Sequence, residues 1–292
     1  WKPCGPSARW LRDVIAMDHS PESNHAIIRQ VAKGGYNRRV DHRMEDAGMA
    51  TLHYTESGQG EPLILLHSGG MSGAEWTPQI PLFARHFRVV VPDHLGHGRS
   101  PMIAEKLIVG DMGRAVLELM DELALPWAHL VGSSLGGAVA LWLAVHHPER
   151  VSKLVLYRVG YRKDENTHAG TRGMADPAYW RGVGMHKWLS DIHRPQGGPD
   201  AWEEVIGRVS EALEPATTDH AHDLEILERM AQPTLLVVGD RDPVAPLEQI
   251  LEMFGAIPNC GLWVMPYATH VTAGNTWRAE SFALEVTRFL QR

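Results

Sequence analysis

The chain has 292 residues, 44% of them hydrophobic and 22% charged, with a formal net charge of -7 at pH 7. That is enough apolar material for one substantial core with a smaller appended element, and the acidic balance argues against a nucleic-acid partner, which favours a basic face. No apolar run reaches the roughly 18 residues that a membrane span needs. The two cysteines, Cys4 and Cys260, stand far apart and neither has a CxxC neighbour. A disulfide framework or zinc site is therefore not expected, and the low cysteine usage suits a reducing, cytoplasmic setting.

Residues 1–37 read as a polar N-terminal extension without the apolar run of a secretory signal. Weak helical spacing at 9–17 and 24–33 is broken at Pro21 and Gly34-Gly35. Weak alternation predicts edge or hairpin strands at 39–45 and 49–56. The run 62–66 is continuously apolar, as a strand buried on both faces must be, and 88–91, 129–131, 154–157, 234–238 and 262–265 repeat that pattern. Between them, apolar residues at helical spacing predict helices over 76–86, 108–123, 137–146, 246–255 and 277–290.

Alternating buried strands and helices imply an α/β fold whose mostly parallel central sheet is covered by helices on both faces. The rhythm is lost from 160 to 231, a stretch rich in Gly, Pro, His, Trp and Met, with helical hints at 200–212 and 220–230. The expected organisation is a core of 38–159 and 232–292 interrupted by an insertion at 160–231.

One local pattern points to chemistry. Leu130-Val131 ends an apolar strand, Gly132-Ser133-Ser134-Leu135-Gly136 follows, and a small-residue helix begins at Gly137. A serine hydroxyl is a poor nucleophile until it is held exposed beside a base, and a tight strand-to-helix turn provides that. Such a turn crowds the backbone, so Gly132 and Gly136 must lack Cβ atoms and only Ser134 fits the frame. Three further loops leave strand ends, where ligands gather in open α/β sheets. They are His67-Ser68-Gly69-Gly70, Gly239-Asp240-Arg241-Asp242-Pro243 and Tyr267-Ala268-Thr269-His270.

Serine, then aspartate, then a late histidine is the chain order of the α/β-hydrolase superfamily, which residues 38–292 resemble. The run Pro92-Asp93-His94-Leu95-Gly96-His97-Gly98-Arg99-Ser100 is similar to that family's P-D-x-x-G-x-G-x-S loop. The resemblance implies Ser134 as nucleophile, Asp242 as acid and His270 as base. It places the oxyanion donors on the backbone N–H groups of Gly69 and Leu135, and it implies neither cofactor nor metal.

Asp240 is a rival acid, and Asp242 read alone is a turn aspartate before Pro243. His94 and His97 read as loop-packing residues, and 219–223 as a solvated helix start. Two departures from the family pattern concern geometry: Ser68 stands where the family usually has Gly, and Thr269 stands where Gly usually precedes the histidine.

The 160–231 insertion resembles the family's cap. Its Tyr161, Met174, Tyr179, Trp180, Met185, Trp188 and Trp202 are candidates either for an apolar pocket or for packing of the cap; Ser68, Trp180 and Trp188 are the expected pocket residues. The partner expected is a small or medium-sized ester or lactone, cleaved by a serine esterase with an apparent pKa near ~6–7 for its histidine base. Carbon–carbon bond hydrolases of this fold carry Trp directly after the histidine, where this chain has Val271, and dehalogenases and epoxide hydrolases need Asp at the position of Ser134. A non-hydrolytic small-molecule binder is the reading from a different class.

Overall fold

Seven strands form one sheet in the computed structural model, which describes residues 52–103, 105–270 and 278–292. They are β1 (Tyr54–Ser57), β2 (Glu61–Leu66), β3 (Phe87–Pro92), β4 (Ala128–Ser133), β5 (Val151–Tyr157), β6 (Thr234–Gly239) and β7 (Cys260–Met265). Their order is β1-β3-β2-β4-β5-β6-β7; β1 runs antiparallel to β3 and every other neighbouring pair is parallel.

The continuous apolar runs are explained by the two faces they serve. Along β2, Ile64 and Leu66 point into one core while Leu63 and Leu65 point into the other. Leu154 and Leu156 part from Val155 and Tyr157 in the same way along β5. On the first face lie α1 (Val109–Glu122), α2 (Leu135–His146) and α7 (Leu247–Ala256). The second face is covered by α8 (Ala279–Leu290), through Phe282, Ala283, Val286 and Leu290, with Trp76 and Phe83 beside them. Ten of the twelve residues of α2, from Leu135 to Ala144, are buried, so this helix is a core element rather than an amphipathic one.

Between β5 and β6 the chain forms α3 (Glu165–Met174), α4 (Pro177–Gly182), α5 (His186–His193) and α6 (Ala201–Ala212). They share a small core of Trp180, Leu189, Trp202 and Ile206, against which Met71 from the loop after β2 also packs.

Two helices read from the sequence are not formed. In place of a helix over 76–86 there is a 3-10 turn, Gly73–Trp76, and a single turn, Ile80–Phe83. Pro78 and Pro81 supply no N–H to a continuous helix. In place of 220–230 only Leu224–Leu227 is helical, because the preceding residues are bound elsewhere. The carboxylate of Asp219 accepts from the N–H groups of Val109 and Gly110 at 3.1 and 2.7 Å, closing the first turn of α1 from 109–110 residues away. His220 and His222 are buried, and the His220 ring bonds the Gly160 carbonyl at 3.0 Å. Residues 219–222 are therefore chiefly a buttress, and the solvated helix start expected over 219–223 is confined to Asp223, exposed at the N-cap of Leu224–Leu227. The strand expected at 39–45 and the features of residues 1–37 lie outside the described residues.

Candidate active site

The turn after β4 is made possible by its glycines. A Cβ on Gly132 would stand 2.3 Å from the Gly136 carbonyl oxygen, and one on Gly136 would stand 2.3 Å from that of Leu66. Ser134 between them holds φ 52°, ψ -115°, a backbone region that costs a non-glycine residue about 1–3 kcal/mol. Its N–H is anchored on the Tyr157 carbonyl at 2.9 Å, and its own carbonyl accepts the Ala138 N–H of α2 at 2.9 Å.

The Ser134 hydroxyl lies 2.9 Å from His270 Nε2. His270 Nδ1 in turn lies 2.8 and 3.0 Å from the two carboxylate oxygens of Asp242. Asp242 Oδ1 also accepts from the Val244 and Ala245 N–H groups at 2.8 and 2.9 Å. Asp240 accepts the Ala268 N–H at 3.0 Å instead, holding the loop before the histidine. Ser134, Asp242 and His270, 136 residues apart at most, are thus brought into one hydrogen-bonded line.

Burial lowers the His270 pKa below the ordinary imidazole value, outweighing the pull of the Asp242 carboxylate and the hydrogen bond to it. The expectation of ~6–7 moves down accordingly. Burial alone would raise Asp242, but the His270 ring and the two N–H donors hold it below the usual carboxylate value.

Behind this line lies a charged network that the sequence reading missed. Arg158, the first residue after β5, is buried and has a left-handed backbone, φ 49°. Its Nε donates to Ser133 Oγ at 2.9 Å and its Nη1 to the His270 carbonyl. Its Nη2 donates to Ser68 Oγ at 2.8 Å and to Glu75 Oε1 at 2.5 Å. Glu75 is buried as well and accepts both the N–H and the hydroxyl of Ser68, at 2.7 and 2.9 Å. One guanidinium therefore ties the serine turn, the histidine loop and the loop after β2 together. The only sequence signal was a charged residue at the end of an apolar strand, which solvated arginines share.

A second buried set holds the loop after β2 from the other side. His67 Nδ1 donates to the Ser68 carbonyl at 2.8 Å while its Nε2 accepts the His94 N–H at 2.9 Å. His97 donates to the Leu95 carbonyl at 3.0 Å and accepts the Gly70 N–H at 3.2 Å. His193 of α5 donates to the Gly70 carbonyl at 2.9 Å and accepts the Gly98 N–H at 3.1 Å. Each of these three rings uses one nitrogen as donor and the other as acceptor, so only the neutral imidazole fits. Burial pushes His67 and His97 down to about 3 and lowers His94 and His193 as well.

The cavity beside Ser134 is lined by Leu135, Ala138, Arg158, Val159, Gly160, Lys163, Leu213, His220 and Val244. At about 10 Å³ it is close to the space one water molecule needs. The residues expected to line a pocket lie elsewhere. The Ser68 hydroxyl is engaged by Glu75, Ser133 and Arg158, because a buried hydroxyl goes to the nearest charged partners. Trp180 belongs to the small core of α4–α6, with Trp188 packed against it, because these helices must bury their own apolar faces. The N–H groups of Gly69 and Leu135 make no hydrogen bond among the described residues. Gly69 packs so closely under α6 that a Cβ would stand 2.4 Å from Val209 Cγ1.

A sequence profile described as the alpha/beta hydrolase fold matches residues 61–183. RutD of Caulobacter sp. (strain K31), named for carbamate hydrolysis, is 30% identical over 261 residues, covering 82% of this chain and 94% of that protein. The 2-hydroxy-6-oxo-6-(2'-aminophenyl)hexa-2,4-dienoic acid hydrolase of Metapseudomonas resinovorans is 30% identical over 253 residues, 76% of this chain and 85% of that protein. Among solved structures, the enol-lactonase from Burkholderia xenovorans LB400 is similar at 25% identity and a TM-score of 0.66, over 82% of this chain and 96% of that one.

Two outcomes are expected. Replacing Arg158 by Met strands the buried Glu75 carboxylate and should cost about 3–5 kcal/mol of stability; pairing it with Glu75→Gln should restore part of the loss, read as midpoints of urea unfolding. The buried histidines have folded-state pKa values below the unfolded value of ~6.5. Their contribution is therefore complete above that pH and is lost as pH falls toward about 3. The unfolding free energy, followed through the urea midpoint, should drop between pH 7.5 and pH 5, by up to about 1.4 kcal/mol per pH unit for each histidine; an unchanged midpoint would contradict neutral burial.

Proposed function

The chain belongs to the α/β-hydrolase fold family, and from that premise we propose that it is a serine hydrolase cleaving carboxylic esters, cyclic esters included, through an acyl-enzyme on Ser134. The observation that carries this reading is the unbroken line from Ser134 Oγ through the His270 ring to the Asp242 carboxylate. With Nδ1–H donated to Asp242, His270 presents an unprotonated Nε2 to the hydroxyl, the tautomer a general base requires.

As Ser134 attacks the substrate carbonyl, its proton passes to Nε2 and Asp242 stabilises the imidazolium. The free N–H groups of Gly69 and Leu135 receive the developing oxyanion, Leu135 with the positive end of α2 behind it. His270 then returns the proton to the leaving oxygen. A water molecule, deprotonated by the same ring, releases the acid and restores Ser134.

Residues 160–231 act in this reading as a cap. Lys163, Leu213 and His220 of that segment line the cavity beside Ser134, so the segment contributes to what the cavity accepts. A second reading, cleavage of a carbon–carbon bond in a ring-cleavage product, draws support from the name of the Metapseudomonas relative. The Val271 that follows His270 counts against it.

Turnover of p-nitrophenyl acetate and butyrate, with and without a serine-directed phosphonate and followed by intact mass, tests the reading. A single adduct on Ser134 and a loss of at least about 10³-fold in Ser134→Ala are expected; full activity in that variant rejects the nucleophile. Because burial lowers His270, the acid limb of kcat/KM should show an apparent pKa below ~6.5, with the base lost by protonation as pH falls. A rate flat down to pH 4 would exclude a histidine base.

A further inference from the structure

Two cations line the cavity beside Ser134, and they stand in different situations. Every nitrogen of the Arg158 guanidinium is engaged by Ser133, His270, Ser68 and Glu75. Lys163, just before α3, has one hydrogen bond, to Thr171 Oγ1 at 3.3 Å, and no carboxylate within 4.0 Å among the described residues. An ammonium carries three donors, so two remain unused. The rest of the lining is chiefly Leu135, Ala138, Val159, Leu213 and Val244, which offer a charged group nothing. A cation kept on an apolar cavity without a direct counter-ion is costly unless something that enters the cavity supplies one.

We propose that Lys163 is a specificity-determining residue that pairs with a single carboxylate borne by the substrate, so that this enzyme prefers monoanionic esters to neutral ones. The inference rests on the reading of Ser134 as the nucleophile of an ester hydrolase. Burial lowers Lys163 to about 8 while Asp242 and Asp164 pull the other way, so the amine is still mostly protonated at pH 7. The same two carboxylates limit the charge the site accepts: a monoanion balances the ammonium, and a second negative charge meets repulsion from Asp242 and Asp164. Thr171 Oγ1 steadies the amine from α3, and His220, the other titratable side chain on this part of the lining, is held down to about 3 and stays neutral beside it.

The test compares wild type, Lys163→Met and Lys163→Arg on two matched substrate pairs. Mono-p-nitrophenyl adipate against p-nitrophenyl hexanoate places the charge on the acyl side; p-acetoxybenzoate against its methyl ester places it on the leaving side. In one pair, the ratio of kcat/KM for the anion to that for the neutral ester should favour the anion. That ratio should fall roughly tenfold or more in Lys163→Met, mainly through KM, and recover in Lys163→Arg. A ratio that the Met substitution leaves unchanged in both pairs overturns the proposal.

A binding arm separates this from failure of the ester reading. In the Ser134→Ala background, calorimetry compares monomethyl adipate with dimethyl adipate. Tighter binding of the monoanion that is lost in Ser134→Ala/Lys163→Met supports Lys163 even if no ester is turned over. Equal binding of the two overturns it.

Discussion

The ion pair between Arg158 and Glu75 is the contact on which the site's geometry depends. Two buried charges are expensive to remove from water, and only a complete set of partners makes the arrangement tolerable. Here the set is complete on the guanidinium side: each nitrogen meets an oxygen, and those oxygens belong to three different loops. The serine turn, the histidine loop and the loop after β2 are consequently positioned against one rigid fork. A hydrophobic filler of equal volume would pack the space without fixing where Ser133, Ser68 and the His270 carbonyl stand relative to one another.

The serine turn adds its own constraint. β2 and β4 run side by side, so the chain leaving β4 must pass within contact of the Leu66 carbonyl in the first turn of α2. Gly136 makes that passage possible, and Ser134 absorbs the remaining strain in its backbone. The strain persists because α2 is buried along most of its length and cannot relax outward. A hydroxyl held this way has little conformational freedom left to lose.

The histidines at 67, 97 and 193 do for the loop after β2 what Arg158 does from beneath. They connect Gly70 to the 94–98 loop and to α5, so the segment carrying Gly69 is pinned both to the core and to the helices of residues 160–231. His193 thereby ties α5 directly to Gly70, the neighbour of Gly69. Neutral imidazoles suit this task because each supplies one donor and one acceptor without a charge to desolvate. The dependence on pH follows from the same property.

Much of this molecule was legible in the linear chain wherever the physical demand is local. Strands buried on both faces have no room for polar residues, so runs such as 62–66 and 234–238 announced themselves, and the alternating helices implied the parallel sheet. Gly132 was legible because its requirement is a clash within five residues, with the Gly136 carbonyl, whereas Gly136 meets Leu66 of the neighbouring strand. The helix read over 76–86 failed on a local rule as well, since Pro78 and Pro81 break it.

What only the tertiary structure decided are the pairings between distant polar groups. Arg158 with Glu75, His193 with Gly70 and Asp219 with the start of α1 all join residues far apart in sequence. Ser68 bonds to Glu75, Trp180 and Trp188 belong to the packing of α4–α6, and Lys163 and His220 line the cavity beside Ser134. An arginine at a strand end or a histidine in a loop reads the same whether water or protein surrounds it. Its partner is chosen by which groups the packed sheet and helices leave within about 3 Å, and no local pattern encodes that.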